Sequence, residues 1–342
     1  MNTAVSFNNV SIVFGERPEA ALPLMDAGQT RAQVQSACQQ VLGVHDCSLT
    51  VDEGEILVLM GLSGSGKSTL LRAVNGLNPV VRGNVEVATK QGMANVTAAD
   101  DKTLRAIRQN AVAMVFQQFG LLPWRSVREN VGLGLELAGV PKETRAAKTQ
   151  EQLELVGLAD WADRKVSELS GGMQQRVGLA RAFATDAPIL LMDEPFSALD
   201  PLIRTHLQDE LLDLQKKLNR TIIFVSHDLD EAFKIGNRIA IMEGGRIVQC
   251  GSPQEIFTAP ATDYVSDFVA HMNPLGVLCA RDVMEPTTGT HAVTLPADSD
   301  IREVMKHASA GPVGVSEDGK LIGQITPQTV LEKLLDPRGD SR

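Results

Sequence analysis

The sequence lacks any long apolar run. Its longest wholly apolar stretches, such as residues 56–60 and 222–225, are about five residues long, whereas a helix that spans a bilayer needs about 20. The first basic residue is Arg17, and no apolar segment with a cleavage site lies near the start. We therefore expect neither a membrane span nor a secretory or transit peptide, and we expect a protein that works in the cytosol.

The sequence also has few cysteines and fewer basic than acidic residues. The four cysteines form no C-x-x-C motif, which predicts buried free thiols rather than a disulfide framework or a zinc site. The chain has 42 acidic and 32 basic residues, a formal net charge of −10, which argues against bulk attraction to nucleic acid or anionic lipid. With 342 residues, 43% of them hydrophobic, the chain is predicted to be globular, with one large or two modest domains.

Strands alternate with amphipathic helices along the chain, a pattern typical of an α/β fold with a mainly parallel sheet. The predicted strands of this fold cover residues 5–14, 44–51, 56–60, 111–116, 188–192, 221–225 and 238–242.

Residues 16–43 interrupt this pattern and are interpreted as an insertion. Thr30 and Gln33 predict a capping box at the start of a helix, and Gly43 is predicted to end that helix. The expected apolar face consists of Val34, Cys38, Val41 and Leu42.

A glycine-rich loop lies between a predicted buried strand and a predicted helix. Residues 61–68 match the pattern G-x-x-x-x-G-K-[ST]. Glycines let backbone N–H groups and the positive end of a helix approach anionic oxygens closely. Lys67 supplies a cation for the β- and γ-phosphates, and the Ser68 hydroxyl can bind Mg²⁺. The motif predicts a polyphosphate site, and the flanking elements disfavour the alternative of a flexible Gly/Ser turn.

Polar side chains follow three of the predicted core strands. Asp193 and Glu194 end one of them, where Asp193 is expected near the metal and Glu194 is expected to act as the general base for an attacking water. Gln117 and His227 follow two other strands and could touch the metal, the water or the γ-phosphate. A solvent-exposed acidic pair and a structural histidine are the alternatives.

A second glycine-rich turn opens a helix that is predicted to run to about residue 185. Ser170, Gly171 and Gly172 expose unpaired N–H groups at a positive helix end without a lysine. This turn is a candidate second anion site, and an N-cap with a Gly-Gly hinge is the alternative.

In their order, these motifs resemble the ATP-binding cassette of membrane transporters. The resemblance is carried by the loop at 61–68, Gln117, LSGGMQQR at 169–176, LLMDEP at 190–195 and Ser226-His227, and it covers residues 1 to about 260. It implies a P-loop NTPase-type, mainly parallel sheet with an antiparallel β subdomain and a helical signature subdomain.

The resemblance also implies roles for particular residues. The residues implied to bind MgATP are Phe14, Gly61, Leu62, Ser63, Gly64, Ser65, Gly66, Lys67, Ser68 and Thr69. Phe14 would stack on adenine, although a core phenylalanine is the alternative. The implied Mg²⁺ ligands are Ser68, Gln117 and Asp193, and the implied catalytic residues are Glu194, His227 and Gln117. The residues implied to act on ATP held by a second subunit, in a head-to-tail homodimer, are Ser170, Gly171, Gly172 and Gln174, with Asp200 in the adjoining D-loop.

Within the family, the chain is most similar to ATPase subunits of glycine betaine, proline and choline uptake systems. This closer resemblance is carried by the insertion at 16–43 and by residues 60–66, 200–204 and 235–242. It implies a peripheral protein on the cytoplasmic face of the cell membrane, bound to integral membrane permease subunits and served by a periplasmic or extracellular substrate-binding protein. The loop after Gln117, with Phe119, Pro123 and Trp124, is expected to dock a partner helix, a packed internal loop being the alternative.

The tail from about residue 277 resembles a CBS motif, with residues 311–313 and 317–320 as its anchors. The predicted domains are therefore an ATP-binding domain at 1–275 and a single CBS-like motif at 277–336. Related osmoregulatory proteins usually carry two such motifs, so one copy puts osmotic or nucleotide regulation in doubt. We expect a second copy of the chain to cover the apolar faces of the motif, which are Ile301, Val304 and Met305 on one helix and Val330, Leu331 and Leu334 on another.

Two other functions stay open at this point. The first is an ATPase that powers uptake of a different solute, which only the membrane subunits would reveal. The second is a soluble cassette of nucleic-acid repair or translation. A single cassette and a net charge of −10 argue against that second function, and we expect no nucleic-acid partner.

Overall fold

Short runs of aliphatic residues form the strands that position the site. The computed structural model describes residues 2–117, 120–270, 272–287, 289, 291–309 and 311–335. Its strands are β1 (Thr3–Phe14), β2 (Val41–Asp52), β3 (Ile56–Met60), β4 (Arg82–Thr89), β5 (Gly92–Asn95), β6 (Val112–Val115), β7 (Ile189–Asp193), β8 (Thr221–Val225), β9 (Arg238–Glu243), β10 (Arg246–Gly251), β11 (Thr294–Pro296), β12 (Val313–Glu317) and β13 (Lys320–Ile325).

Helices connect these strands and in many cases begin at a side-chain cap. They are α1 (Leu22–Asp26), α2 (Arg31–Cys38), α3 (Lys67–Leu71), α4 (Asp101–Asn110), α5 (Val127–Val131), α6 (Leu133–Leu137), α7 (Lys142–Leu155), α8 (Gly171–Phe183), α9 (Pro201–Leu218), α10 (Leu229–Ile235), α11 (Pro253–Thr258), α12 (Asp263–Phe268), α13 (Ala280–Val283), α14 (Ile301–Ala308) and α15 (Pro327–Leu335).

The strands form a mainly parallel sheet and an antiparallel sheet, as predicted. The antiparallel sheet has the order β2-β1-β4-β5, and the larger sheet has the order β10-β9-β3-β8-β7-β6. Strands β3, β8, β7 and β6 pair in parallel, so their carboxyl ends share one edge, which is where ligands of open α/β sheets bind. Helices α5, α6 and α7 pack against α8 and form the helical part.

The core strands match the sequence prediction closely. All five residues of β3, β7 and β8 are buried, and continuous apolar runs of this kind are typical of strands with both faces covered. The predicted bounds of β3 and β8 are those of the structure.

The end of the predicted helix in the insertion is wrong. The capping box of Thr30 and Gln33 is present, but α2 ends at Cys38 because Gln39 adopts a left-handed conformation with φ 57°. Val41 and Leu42 then pair with Phe14 and Val13 of β1 as part of β2. Cross-strand pairing with β1 therefore determines the structure of this segment, and Gly43 lies inside a strand rather than at a helix end.

The chain divides into two compact units. The first comprises Met1–His227 and Ala240–Ile247, and the second comprises Asp228–Ile239 and the chain from Val248 onward. The predicted division near residues 275–277 falls inside the second unit and stays a prediction. The second unit contains a sheet of order β11-β12-β13 and helices α13, α14 and α15, and its CBS-like character also stays a prediction.

The cysteines of the chain are free thiols, as expected, but only Cys47 is buried and the other three are half-buried. Burial raises the pKa of the Cys47 thiol to about 11. In the part of the chain that the structure describes, no group of His, Cys, Asp and Glu side chains is arranged to hold a metal ion. No helix there is both long and apolar enough to cross a membrane.

Candidate nucleotide-binding site

The phosphate loop leaves the buried strand β3 and leads directly into α3. Gly61 has φ 136°, and a Cβ atom there would lie 2.1 Å from the Met242 carbonyl oxygen. Gly66 has φ 105°, and its Cβ would lie 2.7 Å from the Gly43 carbonyl oxygen. Both positions need glycine because a side chain would meet fixed backbone in a conformation that L residues rarely adopt.

Lys67, the first residue of α3, is 6% exposed and lies across its own loop. Its ammonium donates to the carbonyl oxygens of Gly61 at 2.8 Å and Leu62 at 3.1 Å. Burial lowers the pKa of Lys67, and the carboxylates of Glu194 and Asp193 oppose that shift. The buried Ser65 hydroxyl has no hydrogen-bond partner among the described residues. The loop thus presents a cation and an unused polar group to a ligand.

The fully buried Asp193 at the end of β7 makes two strong contacts. The Ser68 hydroxyl donates to its Oδ1 at 2.6 Å, and the Arg72 guanidinium donates to its Oδ2 at 2.8 Å. A buried carboxylate needs such a cation, and the sequence analysis missed Arg72. A signal was available, because Arg72 lies four residues after Ser68, one turn along the same helical path. The hydroxyl and carboxylate oxygens at this point are donors of the type that Mg²⁺ prefers.

The three predicted catalytic residues meet at the carboxyl edge of the parallel sheet. The Gln117 amide donates to Glu194 Oε2 at 3.0 Å, and His227 Nδ1 lies 3.6 Å from the same oxygen. The Glu194 side chain is 19% exposed. The sequence analysis placed each of these residues at the end of a different core strand, and the structure brings the three side chains together.

Glu194 has an unusual backbone that the structure holds in place. Its φ is 49°, and such a left-handed conformation costs a non-glycine residue about 1–3 kcal/mol. Its N–H donates to the Val225 carbonyl at 3.1 Å, while its own carbonyl accepts from Gln175 at 3.2 Å and Ser197 at 3.1 Å. These bonds fix the direction in which the carboxylate leaves the sheet.

A cavity of about 620 Å³ joins these groups, within the size range of small-molecule sites. Phe14 lines it and is 38% exposed. A Cβ at Gly43 would lie 2.9 Å from the Phe14 ring, so glycine lets the ring lie over β2. The predicted residues that line the cavity are Phe14, Ser63, Gly64, Gly66, Lys67, Ser68, Thr69, Gln117, Glu194 and His227. The insertion contributes five lining residues that the sequence analysis did not assign to the site, namely Arg31, Gln35, Val41, Leu42 and Gly43.

The second glycine-rich turn lies elsewhere in the first unit. Ser170 caps α8 by accepting from the Met173 N–H at 3.4 Å, and a Cβ at Gly171 would meet nothing within 4 Å. The Gln174 amide donates to the carbonyls of Val166 at 3.3 Å and Leu169 at 3.1 Å. Among the described residues that line the cavity, Ser170, Gly171, Gly172, Gln174 and Asp200 do not appear. Asp200 caps α9 by accepting from the Ile203 N–H at 3.1 Å.

The loop after Gln117 is described only in part. Phe119 lies outside the described residues, whereas Pro123 and Trp124 are exposed, Trp124 to 70%. These two side chains are therefore not packed inside the protein, as the alternative of a packed internal loop would require.

The fold and the groups around its phosphate loop define a P-loop nucleotide-binding protein. A family model described as ABC transporter matches residues 44–197. The glycine betaine/proline betaine transport system ATP-binding protein ProV of Escherichia coli (strain K12) is 48% identical over 287 residues, 84% of this chain and 71% of ProV. The trimethylamine N-oxide transport system ATP-binding protein TmoW of Ruegeria pomeroyi is 40% identical over 334 residues, 97% of each chain.

A solved structure supports the same conclusion. The dimeric post-hydrolysis state of the ATP-binding cassette MJ0796 bound to ADP and Pi is 30% identical, with a TM-score of 0.63, and the match covers 72% of this chain and 98% of that chain. The chain therefore belongs to the ABC transporter family and is an ATP-binding ATPase subunit of that family. The predicted family and cassette fold are confirmed.

Proposed function

We propose that the chain hydrolyses MgATP to energise import of a quaternary amine through separate membrane subunits. The observation that carries the proposal is the convergence of Gln117 and His227 on the Glu194 carboxylate, at the edge of a cavity that Lys67 also lines. A general base, a cation and backbone N–H groups around one cavity are what phosphoryl transfer to water requires.

In this proposal each residue has a separate role. Glu194 accepts a proton from the attacking water, Gln117 orients that water, and His227 hydrogen-bonds the γ-phosphate. Lys67 binds the β- and γ-phosphates, and Phe14 stacks on adenine. Ser68 and Asp193, with Gln117, would hold Mg²⁺, which when bound neutralises charge on the phosphates.

The active form is proposed to be a head-to-tail homodimer. Ser170 and Gly171 form an exposed helix start away from the cavity of their own chain, and this arrangement suits a turn that acts on ATP held by a partner. ATP would favour the closed dimer through its differential affinity for that state, and hydrolysis would reopen it. The MJ0796 cassette, whose solved structure is a dimer, agrees with this assembly.

A membrane subunit is proposed to dock beside the loop that follows Gln117. A groove of about 320 Å³ lies next to this loop, and its lining includes Val112, Met114, Phe116, Leu133 and Leu137. Arg181 donates to the Gly120 carbonyl at 2.7 Å and anchors the loop at the groove. Together with the exposed Trp124, this apolar groove suits one helix of a permease subunit. The chain would then lie peripherally on the cytoplasmic face of the membrane, with a substrate-binding protein on the other side.

The cargo is proposed from the named relatives. ProV and OpuAA of Bacillus subtilis (strain 168) are named for glycine betaine transport, and OpuAA is 43% identical over 94% of this chain. Glycine betaine or proline betaine is therefore proposed first, with choline as a further quaternary amine. Trimethylamine N-oxide is a second candidate, because TmoW matches this chain over 97% of both lengths.

Reconstitution tests the proposal. The chain is combined in proteoliposomes with its membrane and binding subunits, and ATPase activity and uptake are measured with glycine betaine, proline betaine, choline and trimethylamine N-oxide. We expect a quaternary amine to stimulate both activities. Glu194→Gln keeps the size of the side chain but removes the base, so turnover should fall by about 10² to 10⁴, while ATP binding persists and dimers accumulate.

Two outcomes would contradict the proposal separately. Near-normal turnover of Glu194→Gln would remove Glu194 from the role of base. Stimulation by trimethylamine N-oxide alone would replace the quaternary amine with the second cargo while leaving the ATPase assignment unchanged.

A further inference from the structure

The insertion at residues 16–43 reaches the phosphate loop through one side chain. Arg31 is the first residue of α2, directly after the capping residue Thr30. Its guanidinium donates to the carbonyl oxygens of Gly43 and Gly64, and its Nη2 lies 3.5 Å from the Ser65 carbonyl oxygen. One side chain of the insertion thus joins α2, β2 and the phosphate loop.

The charge of Arg31 is not compensated within the described chain. No carboxylate among the described residues pairs with it, and its buried Nε has no hydrogen-bond partner there. Burial lowers its pKa, which expresses the cost of keeping this cation away from water. Arg31 lines the same cavity as Lys67 and Ser68. An uncompensated, half-buried cation beside a phosphate loop suits an anionic ligand.

Arg31 also contacts two successive carbonyl groups of the phosphate loop, those of Gly64 and Ser65. The C=O and N–H of a trans peptide unit point in opposite directions. With the Gly64 carbonyl held by Arg31, the Ser65 N–H closes a turn onto the Leu62 carbonyl at 3.1 Å. The Ser65 carbonyl, which also accepts from the Gly245 N–H at 3.1 Å, directs the Gly66 N–H to the opposite side.

We propose that Arg31 is a positioning residue of the nucleotide site, which orients the phosphate loop for the β- and γ-phosphates and adds a second positive charge beside Lys67. This inference rests on the proposed phosphate site at Lys67. The planar guanidinium can bond several carbonyl oxygens at once, whereas the point charge of a lysine cannot replace that geometry. The insertion is in this way part of the ATPase site.

Binding measurements on the full-length chain test the inference. The Kd values of MgATP, MgADP and AMP are measured by displacement of a fluorescent ADP for the unchanged protein, Arg31→Ala, Arg31→Gln and Arg31→Lys. Arg17→Ala is the matched control, because Arg17 is an exposed arginine of the same insertion. Lys67→Ala reports on the phosphate site itself.

We expect Arg31→Ala and Arg31→Gln to raise the Kd of MgATP and MgADP about tenfold, the scale of a lost charged hydrogen bond. AMP, which lacks the β- and γ-phosphates, should keep its Kd, Arg31→Lys should recover only part of the loss, and Arg17→Ala should match the unchanged protein. In steady-state ATPase kinetics, KM should rise more than kcat falls, because the hydrogen bonds of Arg31 in the described part of the chain go to the loop and β2 and not to Glu194.

The alternative results are distinguishable. An equal loss for AMP and MgATP, or full recovery with Arg31→Lys, would overturn the positioning role and leave Arg31 as a structural residue. Normal MgATP binding by both Arg31→Ala and Arg31→Gln, with weak binding by Lys67→Ala, would overturn only the role of Arg31. Normal binding by Lys67→Ala would overturn the phosphate site on which the inference rests.

Discussion

Two helices of the first unit begin at glycine-rich turns, but only one of them opens into a site within the same chain. At the start of α3, Lys67 is buried against its own loop and Ser68 contacts Asp193. At the start of α8, Ser170 and Gly171 are exposed, and a Cβ at Gly171 would meet no other atom within 4 Å. The same kind of helix start is thus enclosed in one place and open in the other.

This difference shows that a motif alone does not make a complete site. Both turns offer backbone N–H groups, and the α3 turn also has cations, a metal-type donor set and a candidate base around it. In the proposed dimer, a second chain brings a phosphate to the α8 turn. This contrast is what the proposed composite site between two subunits would produce.

Substitutions that disable the two glycine-rich turns separately test this difference most directly. Ser170→Arg places a large cation at the open turn and should lower ATPase activity at least a hundredfold, by about the size of a lost transition-state donor. ATP binding to the isolated monomer should stay normal. Lys67→Ala should also abolish turnover, but here the Kd for ATP should rise about 10- to 100-fold, because a charged hydrogen-bond donor to the phosphates is lost.

Turnover is measured by phosphate release, and binding is measured on dilute monomer by calorimetry. If Ser170→Arg impaired monomer binding as much as Lys67→Ala, both turns would serve one nucleotide. The dimeric proposal would then be wrong.

Gln175 links α8 to the backbone of the candidate base Glu194 and gives a smaller test. This residue of α8 is 1% exposed; its amide donates to the Glu194 carbonyl at 3.2 Å, and its oxygen accepts from the Ala198 N–H at 3.0 Å. Removing it leaves buried polar groups with fewer partners. We expect Gln175→Ala to lower kcat about tenfold through a misplaced Glu194, an effect of about 1.4 kcal/mol, with the Kd for ATP unchanged.

Gln328→Ala is the control, because the Gln328 side chain is exposed and its amide donates to Glu332 within the same helix. Steady-state kinetics and thermal unfolding are measured for both variants. If Gln175→Ala lowered the unfolding temperature but left kcat unchanged, its bonds would be structural and would not hold the base.

The sequence analysis could place most of the candidate residues because buried strands and short motifs are recognisable from neighbouring positions alone. The buried run of β3 determined where the phosphate loop starts, and the ends of β6, β7 and β8 placed Gln117, Glu194 and His227 along one edge. These predictions needed only the rule that parallel strands share a carboxyl edge.

The residues that the sequence analysis missed act through contacts between distant parts of the chain. Arg72 neutralises Asp193 across 121 positions, and Arg31 reaches Gly64 across 33. Helical spacing puts Arg72 beside Ser68, but neither contact could be read from the sequence alone before the fold brought its two partners together. The wrong end of α2 has the same origin, because pairing of Val41 with Phe14 overrode a helical pattern that looked sound locally.

The smallest expected effect concerns the C-terminal segment, which contributes to neither turn. We expected a second copy of the chain to cover the apolar faces of this segment. Ile301, Val304 and Val330 are, however, already buried within the chain itself. Met305 and Leu331 remain 42% and 52% exposed. Any symmetric contact between two copies would therefore use these residues rather than the whole of both faces.

We predict that deleting residues 277–342 leaves MgATP hydrolysis unchanged, because every group of the proposed cavity lies in the first unit. The nucleotide-free dimer should loosen as the exposed Leu331 face is lost. The segment holds 10 acidic and 7 basic residues, so it lacks the basic cluster that would bind anionic lipid in a salt-dependent manner. Salt-dependent uptake should therefore change little.

ATPase rate, dimer mass by light scattering and uptake at several salt concentrations are compared for the full and shortened chains. Loss of a steep salt activation on truncation would identify the segment as a working sensor and would refute its purely structural role.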